Sequence, residues 1–117
     1  MPNFMLLLSD VPTEYATMSP AELQAVVERY TAWADGLAAQ GKLRGGQKLR
    51  DEGGRVVRNE AGKVVVRDGP YAELREIVSG FFVVAAADYE EAVAIAMSCP
   101  HAQSKGSIAV REIEPTA

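Results

Sequence analysis

The sequence has few residues of the kinds that form covalent or metal cross-links. One cysteine excludes an intrachain disulfide, and one cysteine with one histidine excludes a cysteine–histidine zinc site. No apolar run approaches the roughly 18 residues that span a membrane, and no basic segment precedes the short apolar run near the N-terminus. We therefore expect a cytoplasmic protein with no metal centre, no cofactor and no membrane partner.

Positive charge is scarce over the whole chain but concentrated in one part of it. Twelve lysines and arginines stand against sixteen acidic residues, which gives a net charge of -4. Residues 42–67 carry a net charge of +5, so the remainder carries -9. A net acidic chain whose basic block has no interleaved aromatics is a poor binder of nucleic acid. The block is typical of solvated strands that resist edge pairing, or alternatively of a rim that attracts anions.

The apolar pattern predicts a single α+β domain over residues 1–117. Hydrophobic residues make up 48% of the chain, which suits one compact core. The apolar run at residues 4–8 predicts a buried strand. Ser19 followed by Glu22 is a capping box, and apolar residues recur at helical spacing as far as Gly41. These signals predict a first helix over residues 19–40.

Short β-branched runs and turn residues dominate the middle of the chain. Residues 42–49 predict a weak strand broken by glycine. The runs at 55–58 and 63–67 predict a hairpin closed by four loop residues, with Gly62 at positive φ. Residues 78–87 predict another strand.

A second helix and a last strand complete the pattern. Asp88 and Glu91 form another capping box, Pro100 ends the helix, and residues 107–113 predict a strand. The order β-α-β, hairpin, β-α-β predicts a ferredoxin-like fold, with both helices on one face of an antiparallel sheet. Because the strands are apolar on both faces, the other face needs a cover, and a second copy of the chain is the simplest one. We therefore expect a homodimer.

Residues 68–73, with the sequence Asp-Gly-Pro-Tyr-Ala-Glu, resemble a motif of the YCII-related family. The motif marks a branch with the pattern D-G-P-[FY]-x-E. Further segments similar to that branch are residues 4–7, 43–49, 99–102 and 106–113. The resemblance implies a dimeric α/β barrel with a cavity between sheet and helices. It also implies a regulatory or accessory setting, because this branch is often linked with extracytoplasmic-function sigma factors.

The better-studied branch of that family is thought to pair a histidine on the first helix with an aspartate. Tyr30 falls near that position here. An unperturbed phenol titrates at about 10, which is too high for a general base near neutrality. Tyr30 is therefore predicted to bind a ligand from the cavity wall, or alternatively to pack in the core.

Asp68 and His101 are the candidate catalytic residues. Asp68 stands beside Gly69 and Pro70 and suits a base held at a cavity mouth, although aspartate also caps the amides of its own turn. His101 is the one side chain expected to titrate near neutrality. It follows the second helix, where it suits either proton transfer or an interaction with free helix-end carbonyls.

Tyr71 and Arg75 are the remaining ligand-binding candidates. Tyr71 suits stacking on a ligand or hydrogen bonding to it, and Arg75 suits a bidentate contact with a carboxylate. A half-buried aromatic and a surface ion pair are the respective alternatives.

Two functions fit these residues. The first is a small-molecule enzyme or ligand-binding protein with a cavity near the D-G-P-Y turn and acid–base chemistry by Asp68 and His101. The second is a non-catalytic regulatory or interaction module that uses the basic hairpin. The sequence leaves open whether the chain is an enzyme.

Overall fold

The computed structural model describes residues 1–70 and 76–116, and the elements within them follow the predicted order. The strands are β1 (Asn3–Asp10), β2 (Leu43–Lys48), β3 (Arg55–Glu60), β4 (Lys63–Asp68), β5 (Ile77–Ala85) and β6 (Ser107–Glu112). The helices are α1 (Pro20–Ala39), α2 (Tyr89–Ser98) and a short 3₁₀ helix (Pro100–Gln103).

Four strands form an antiparallel sheet in the order β2-β5-β1-β6. Helix α1 connects β1 to β2, and α2 connects β5 to β6. The chain therefore has the predicted α+β, ferredoxin-like arrangement, with the two central strands contributed by its first and second halves.

The core lies between the helices and one face of this sheet. Phe4 and Leu6 of β1 are fully buried and pack in one cluster with Leu37 of α1 and Ile95 of α2. Side chains alternate between the faces of a strand, so Leu7 lies on the other face. That face is also apolar, because Met5, Leu7, Phe81 and Val83 are partly buried there and pair across β1 and β5.

Local capping signals set the ends of α1. The Ser19 hydroxyl accepts a hydrogen bond from the Glu22 amide at 3.1 Å, and the Glu22 carboxylate accepts one from the Ser19 amide at 3.1 Å. Gly41 follows the helix with φ of 72°, a left-handed conformation that favours glycine. The predicted helix is confirmed, with one residue at each end acting as a cap.

The cap of α2 differs from the prediction in one bond. The Asp88 carboxylate accepts from the Glu91 amide at 2.9 Å, as expected. The Glu91 carboxylate, however, accepts from the amide of Ala87 at 3.4 Å, one residue before the N-cap. The reciprocal half of this capping box is therefore displaced by one residue.

Strands β3 and β4 form a hairpin whose sheet is separate from the main one. Pairing continues to Glu60 and Lys63, so the loop has two residues and the predicted four-residue loop is wrong. Ala61 and Gly62 have φ of 52° and 85°. Two positive φ values make the tight turn that matches the twist of paired strands, which explains why pairing extends further than the β-branched runs.

Candidate functional site

A cavity of about 540 Å³ lies between the first half of α1 and strands β1, β2 and β5. Its volume is within the roughly 300–1,000 Å³ typical of small-molecule sites. The apolar part of its lining consists of Leu8, Leu23, Val26, Val27, Phe81 and Phe82. Polar side chains converge near one end of β1, where Asp10, Tyr15, Tyr30 and His101 line it. An apolar cavity with a few convergent polar groups is the usual form of a ligand site.

His101 is buried beside this cavity, with 1% of its surface exposed. Its Nε2 atom lies 2.8 Å from the carbonyl oxygen of Ser9, and its Nδ1 atom lies 2.7 Å from the hydroxyl oxygen of Tyr30. A carbonyl oxygen only accepts, so Nε2 carries the hydrogen and donates it. In the neutral ring Nδ1 then accepts from the Tyr30 hydroxyl. These two bonds determine the tautomer and the orientation of the ring.

A carboxylate lies next to the same imidazole. The Oδ1 atom of Asp10 is 3.6 Å from Nε2 of His101, and the Asp10 side chain is 18% exposed. This separation exceeds a hydrogen bond, so the contact is electrostatic and strengthens when the imidazole is protonated. Tyr30, His101 and Asp10 thus form a series of phenol, imidazole and carboxylate.

Two phenols meet at the cavity end of this series, where the side chains of Tyr15 and Tyr30 interact. Burial raises the pKa of Tyr30 far above its usual value, and the neighbouring Tyr15 raises it further. Burial also raises the pKa of Tyr15, with Asp10 adding to the effect. Both phenols are therefore protonated at neutral pH, and because Tyr30 donates its hydrogen to His101, its oxygen is left as an acceptor.

Strand pairing brings these residues together. Ser9 pairs with Ser107, so the end of β1 lies beside the start of β6 and beside the 3₁₀ helix that carries His101. Gly106 is required at this crossing, because a Cβ atom there would collide with the Ser9 carbonyl oxygen and lie 3.1 Å from Nε2 of His101. Tyr30 reaches the same point from α1.

Two of the predicted site residues meet at this site. Tyr30 and His101 both line the cavity and share a hydrogen bond. Asp68 does not join them there: it ends β4, its side chain is 89% exposed, and its Oδ1 atom lies 3.4 Å from Nε of Arg55. Its predicted catalytic role stays a prediction. Tyr71 and Arg75 lie outside the described residues.

Sequence reasoning misses Asp10 and Tyr15. The sequence did carry a signal that Asp10 lies near His101. Asp10 ends the first strand, which pairs with the last strand in a ferredoxin-like sheet, and His101 lies shortly before that last strand. Tyr15 had none, since it lies in a turn between β1 and α1 that no periodicity marks. The carboxylate beside the histidine is thus Asp10, whereas the sequence left open whether Asp68 and His101 are close in space.

Within residues 1–70 and 76–116, no helix has the length and apolar character needed to cross a membrane. In the same ranges no three histidine, cysteine or acidic side chains are grouped as metal ligands.

The chain matches the family model of the YCII-related domain over residues 3–117, which is nearly its whole length. No curated protein matches it.

Proposed function

The chain belongs to the YCII-related domain family, and from the geometry of its cavity we propose that it is a small-molecule enzyme or ligand-binding protein with acid–base chemistry at His101. One observation carries the proposal. The single histidine is buried against an apolar cavity, and its Nδ1 atom accepts a hydrogen bond from the hydroxyl of Tyr30, which lines the cavity. The D-G-P-Y branch of the family and the cytoplasmic location remain predictions from the sequence.

The hydrogen-bond directions support a proton relay. When a ligand gives a proton to the Tyr30 oxygen, the Tyr30 hydroxyl passes its own proton to Nδ1 of His101. Tyr30 then ends the step neutral, and His101 becomes a cation 3.6 Å from the Asp10 carboxylate. The carboxylate stabilises that cation, much as the acidic member of a catalytic triad does. The reverse transfer returns the proton to the ligand, so the pair serves as base and then as acid.

This relay allows Tyr30 to take part in acid–base chemistry although it is not itself a suitable base near neutral pH. A phenol is a poor base near neutrality, and burial makes Tyr30 a poorer one. In the relay the group that keeps the proton is the imidazole, and the phenol only passes it on. The histidine expected on α1 is thus replaced by a tyrosine that contacts a histidine from the other end of the chain.

The cavity lining favours a ligand with an apolar body and one hydroxyl or carbonyl oxygen. Among the described lining residues the one cation is Lys48, and its Nζ atom lies 2.9 Å from the Asp51 carboxylate. A carboxylate ligand therefore has no unengaged countercharge among them. The Tyr15 hydroxyl is suited to donate to a neutral oxygen, and the Tyr30 oxygen is suited to accept from a ligand hydroxyl.

A ligand panel with a matched pair of variants tests the proposal. Small phenols, ketones and carboxylates are added to the wild type, to Tyr30→Phe and to Tyr89→Phe, and the thermal midpoint is measured. Tyr89 is the control because it lies on α2, away from the cavity lining. A ligand at 100 times its dissociation constant stabilises the fold by about 2.7 kcal/mol. We expect a rise with a phenol in the wild type and in Tyr89→Phe, and a smaller rise in Tyr30→Phe, which lacks the accepting oxygen.

No midpoint change with any compound would contradict the proposal, as would equal changes in all three proteins. A response to carboxylates alone would contradict the proposed ligand class, although it would still show that the protein binds a ligand. The same panel on Asp68→Asn tests the predicted role of Asp68, which requires a weaker response.

A second candidate is a non-catalytic regulatory or interaction module, accessory to an extracytoplasmic-function sigma factor system. The observation that favours it is the β3–β4 hairpin, which forms a sheet of its own and carries exposed basic residues such as Arg55 and Lys63. Co-purification with a sigma factor from the same genome tests it. The complex should form with wild type and not with Arg55→Glu/Lys63→Glu, and equal recovery of both would exclude the hairpin.

We also propose a homodimer, which the apolar open face of the main sheet supports. Leu7 and Phe81 pair at the centre of that face, and both are partly exposed on the single chain. Burying such a patch against its own copy removes it from water.

A further inference from the structure

Asp10 is a carboxylate on the wall of the cavity, at the end of β1. Its side chain is mostly buried, and it accepts no hydrogen bond from the described residues. The hydrogen on Nε2 of His101 is donated to the Ser9 carbonyl oxygen, and Nε2 lies 3.6 Å from Asp10, so this contact is electrostatic. A mostly buried carboxylate without a hydrogen-bond donor is unfavourable until a bound group supplies one.

The rest of the described lining does not offset the charge of Asp10. Its other charged side chains are Lys48 and Asp51, and they pair with each other at 2.9 Å between Nζ and Oδ1. Burial raises the pKa of the phenols of Tyr15 and Tyr30, and the negative charge of Asp10 raises it further, so this charge acts inside the cavity. The described part of the cavity wall is therefore negative on balance.

The polar end of the cavity offers hydrogen-bond acceptors. The carboxylate of Asp10 only accepts. The Tyr30 hydroxyl donates to His101, so its oxygen can accept from a ligand donor. Both groups lie against the same imidazole ring, one at each nitrogen. An ammonium group, with three hydrogens and no lone pair, has donors for both acceptors and carries the charge that complements Asp10.

We propose that this cavity binds a primary amine with an aromatic or aliphatic body, held as its ammonium ion with Asp10 as the counter-ion. The inference rests on the proposed function and narrows its ligand class to cations. An alkylammonium resembles the lysine side chain, which titrates at about 10.4, so such a ligand is charged at neutral pH. Its body lies against the apolar lining, to which Val26, Val27 and Phe82 contribute. Aromatic side chains in that lining suit a cation, because the face of a ring attracts positive charge.

The proton relay and this ligand are compatible. When the ammonium passes a proton to the Tyr30 oxygen, its N–H bond breaks and the amine keeps the electron pair. The Tyr30 hydroxyl hydrogen moves to Nδ1 of His101. The positive charge thus passes from the ligand to the imidazole, and Asp10 is beside it in both places. The product is a neutral amine, which, unlike the ammonium, is a nucleophile.

Three compounds with one ring and different end groups test the proposal: benzylamine, benzyl alcohol and benzoate. Their dissociation constants are measured by NMR titration of the wild type, Asp10→Asn and Asp35→Asn. Asp35 is the control, because it is exposed on α1 outside the cavity lining and its change removes the same charge. In the wild type and Asp35→Asn we expect benzylamine to bind about tenfold more tightly than benzyl alcohol, and benzoate to bind most weakly. In Asp10→Asn that preference should disappear, and benzyl alcohol should bind as before.

A wild type that binds benzyl alcohol as tightly as benzylamine would overturn this inference and leave the proposed function standing. A preference for benzylamine that persists in Asp10→Asn, or that is lost in Asp35→Asn as well, would also overturn it. If none of the three compounds binds, the proposed function is contradicted together with the inference. The carboxyl resonance of Asp10 provides a check without any variant. It should shift more with benzylamine than with benzyl alcohol in the wild type, and equal shifts would overturn the assignment of Asp10 as the counter-ion.

Discussion

Tyr30 and His101 are 71 positions apart in the sequence, and their side chains lie 2.7 Å apart in the structure. A different set of contacts positions each of the two residues. Tyr30 belongs to the apolar stripe of α1, and His101 donates to a β1 carbonyl from the turn after α2. At this scale the site is a small network, and among the described residues no buried side-chain polar atom lacks a hydrogen-bond partner. Such networks hold their geometry well and tolerate the loss of a partner poorly.

Alkaline pH should reveal the state of Tyr30. Its folded pKa lies above its unfolded value, so its contribution to stability is complete below about pH 10 and is lost as the pH rises towards the folded pKa. We expect a late step in the phenolate absorbance of the folded protein and a falling free energy of unfolding above that pH. Tyr30→Phe should remove the late step. A titration of Tyr30 together with exposed tyrosines would contradict the buried hydrogen-bonded geometry.

Gly106→Ala should distort the site by displacing the backbone carbonyl that positions His101. The added Cβ would push on the Ser9 carbonyl oxygen that holds Nε2 of His101. A strained contact of this kind costs about 1–3 kcal/mol. Gly45→Ala is the matched control, since no heavy atom lies within 4 Å of a Cβ built there. Urea unfolding measures both, and the imidazole resonances should shift in Gly106→Ala alone. Equal stability of the two variants would show that the backbone adjusts freely.

Among the elements, the helices follow their sequence signals more closely than the hairpin does. The ends of α1 depend on contacts between residues at most five apart, such as Ser19 with Glu22 and Lys42 with Leu37. The end of the hairpin depends on how far two strands continue to pair, which the side chains at residues 59–62 do not reveal. The position of an element along the chain is thus a local property, and its exact pairing partner is not.

Ser19→Ala should weaken α1 by about 1 kcal/mol, because it removes the acceptor for the Glu22 amide. The pKa of Glu22 is lowered by the hydrogen bond from the Ser19 amide and further by the Ser19 hydroxyl. That stabilisation is present above the unfolded pKa and is lost as the pH falls through the folded one. NMR titration of the Glu22 carboxyl should show its pKa rising part of the way to the usual value in Ser19→Ala. An unchanged pKa would mean that the hydroxyl does not contribute.

At the scale of the whole molecule, the two faces of the main sheet behave differently. One face is covered by both helices, and the other face and the hairpin have apolar surface left over. The cavity lies on the helix side, but Phe81 both lines it and pairs with Leu7 on the open face. Ligand binding and dimerisation therefore use surfaces that meet at Phe81.

Leu6 and Leu7 distinguish these faces, because they are neighbours on β1 that point in opposite directions. Leu6→Ala leaves a cavity in the core and should cost about 2–5 kcal/mol at every protein concentration. The wild-type unfolding midpoint should rise with concentration, as mass action requires of a dimer. Leu7→Ala should flatten that dependence. If the wild-type midpoint does not change with concentration, the dimer is wrong.

Caps, strand periodicity and a turn motif are all carried by residues close together in the chain, so the amino-acid pattern was enough to predict the order of the elements, the fold class and the family. It also selected Tyr30 and His101 as site residues, since one lies on the predicted cavity wall and the other is the single imidazole. That these two side chains are hydrogen-bonded, with Asp10 beside the imidazole, becomes visible only in the folded chain. Those contacts depend on the register between β1 and β6, which is set by the packing of the whole sheet.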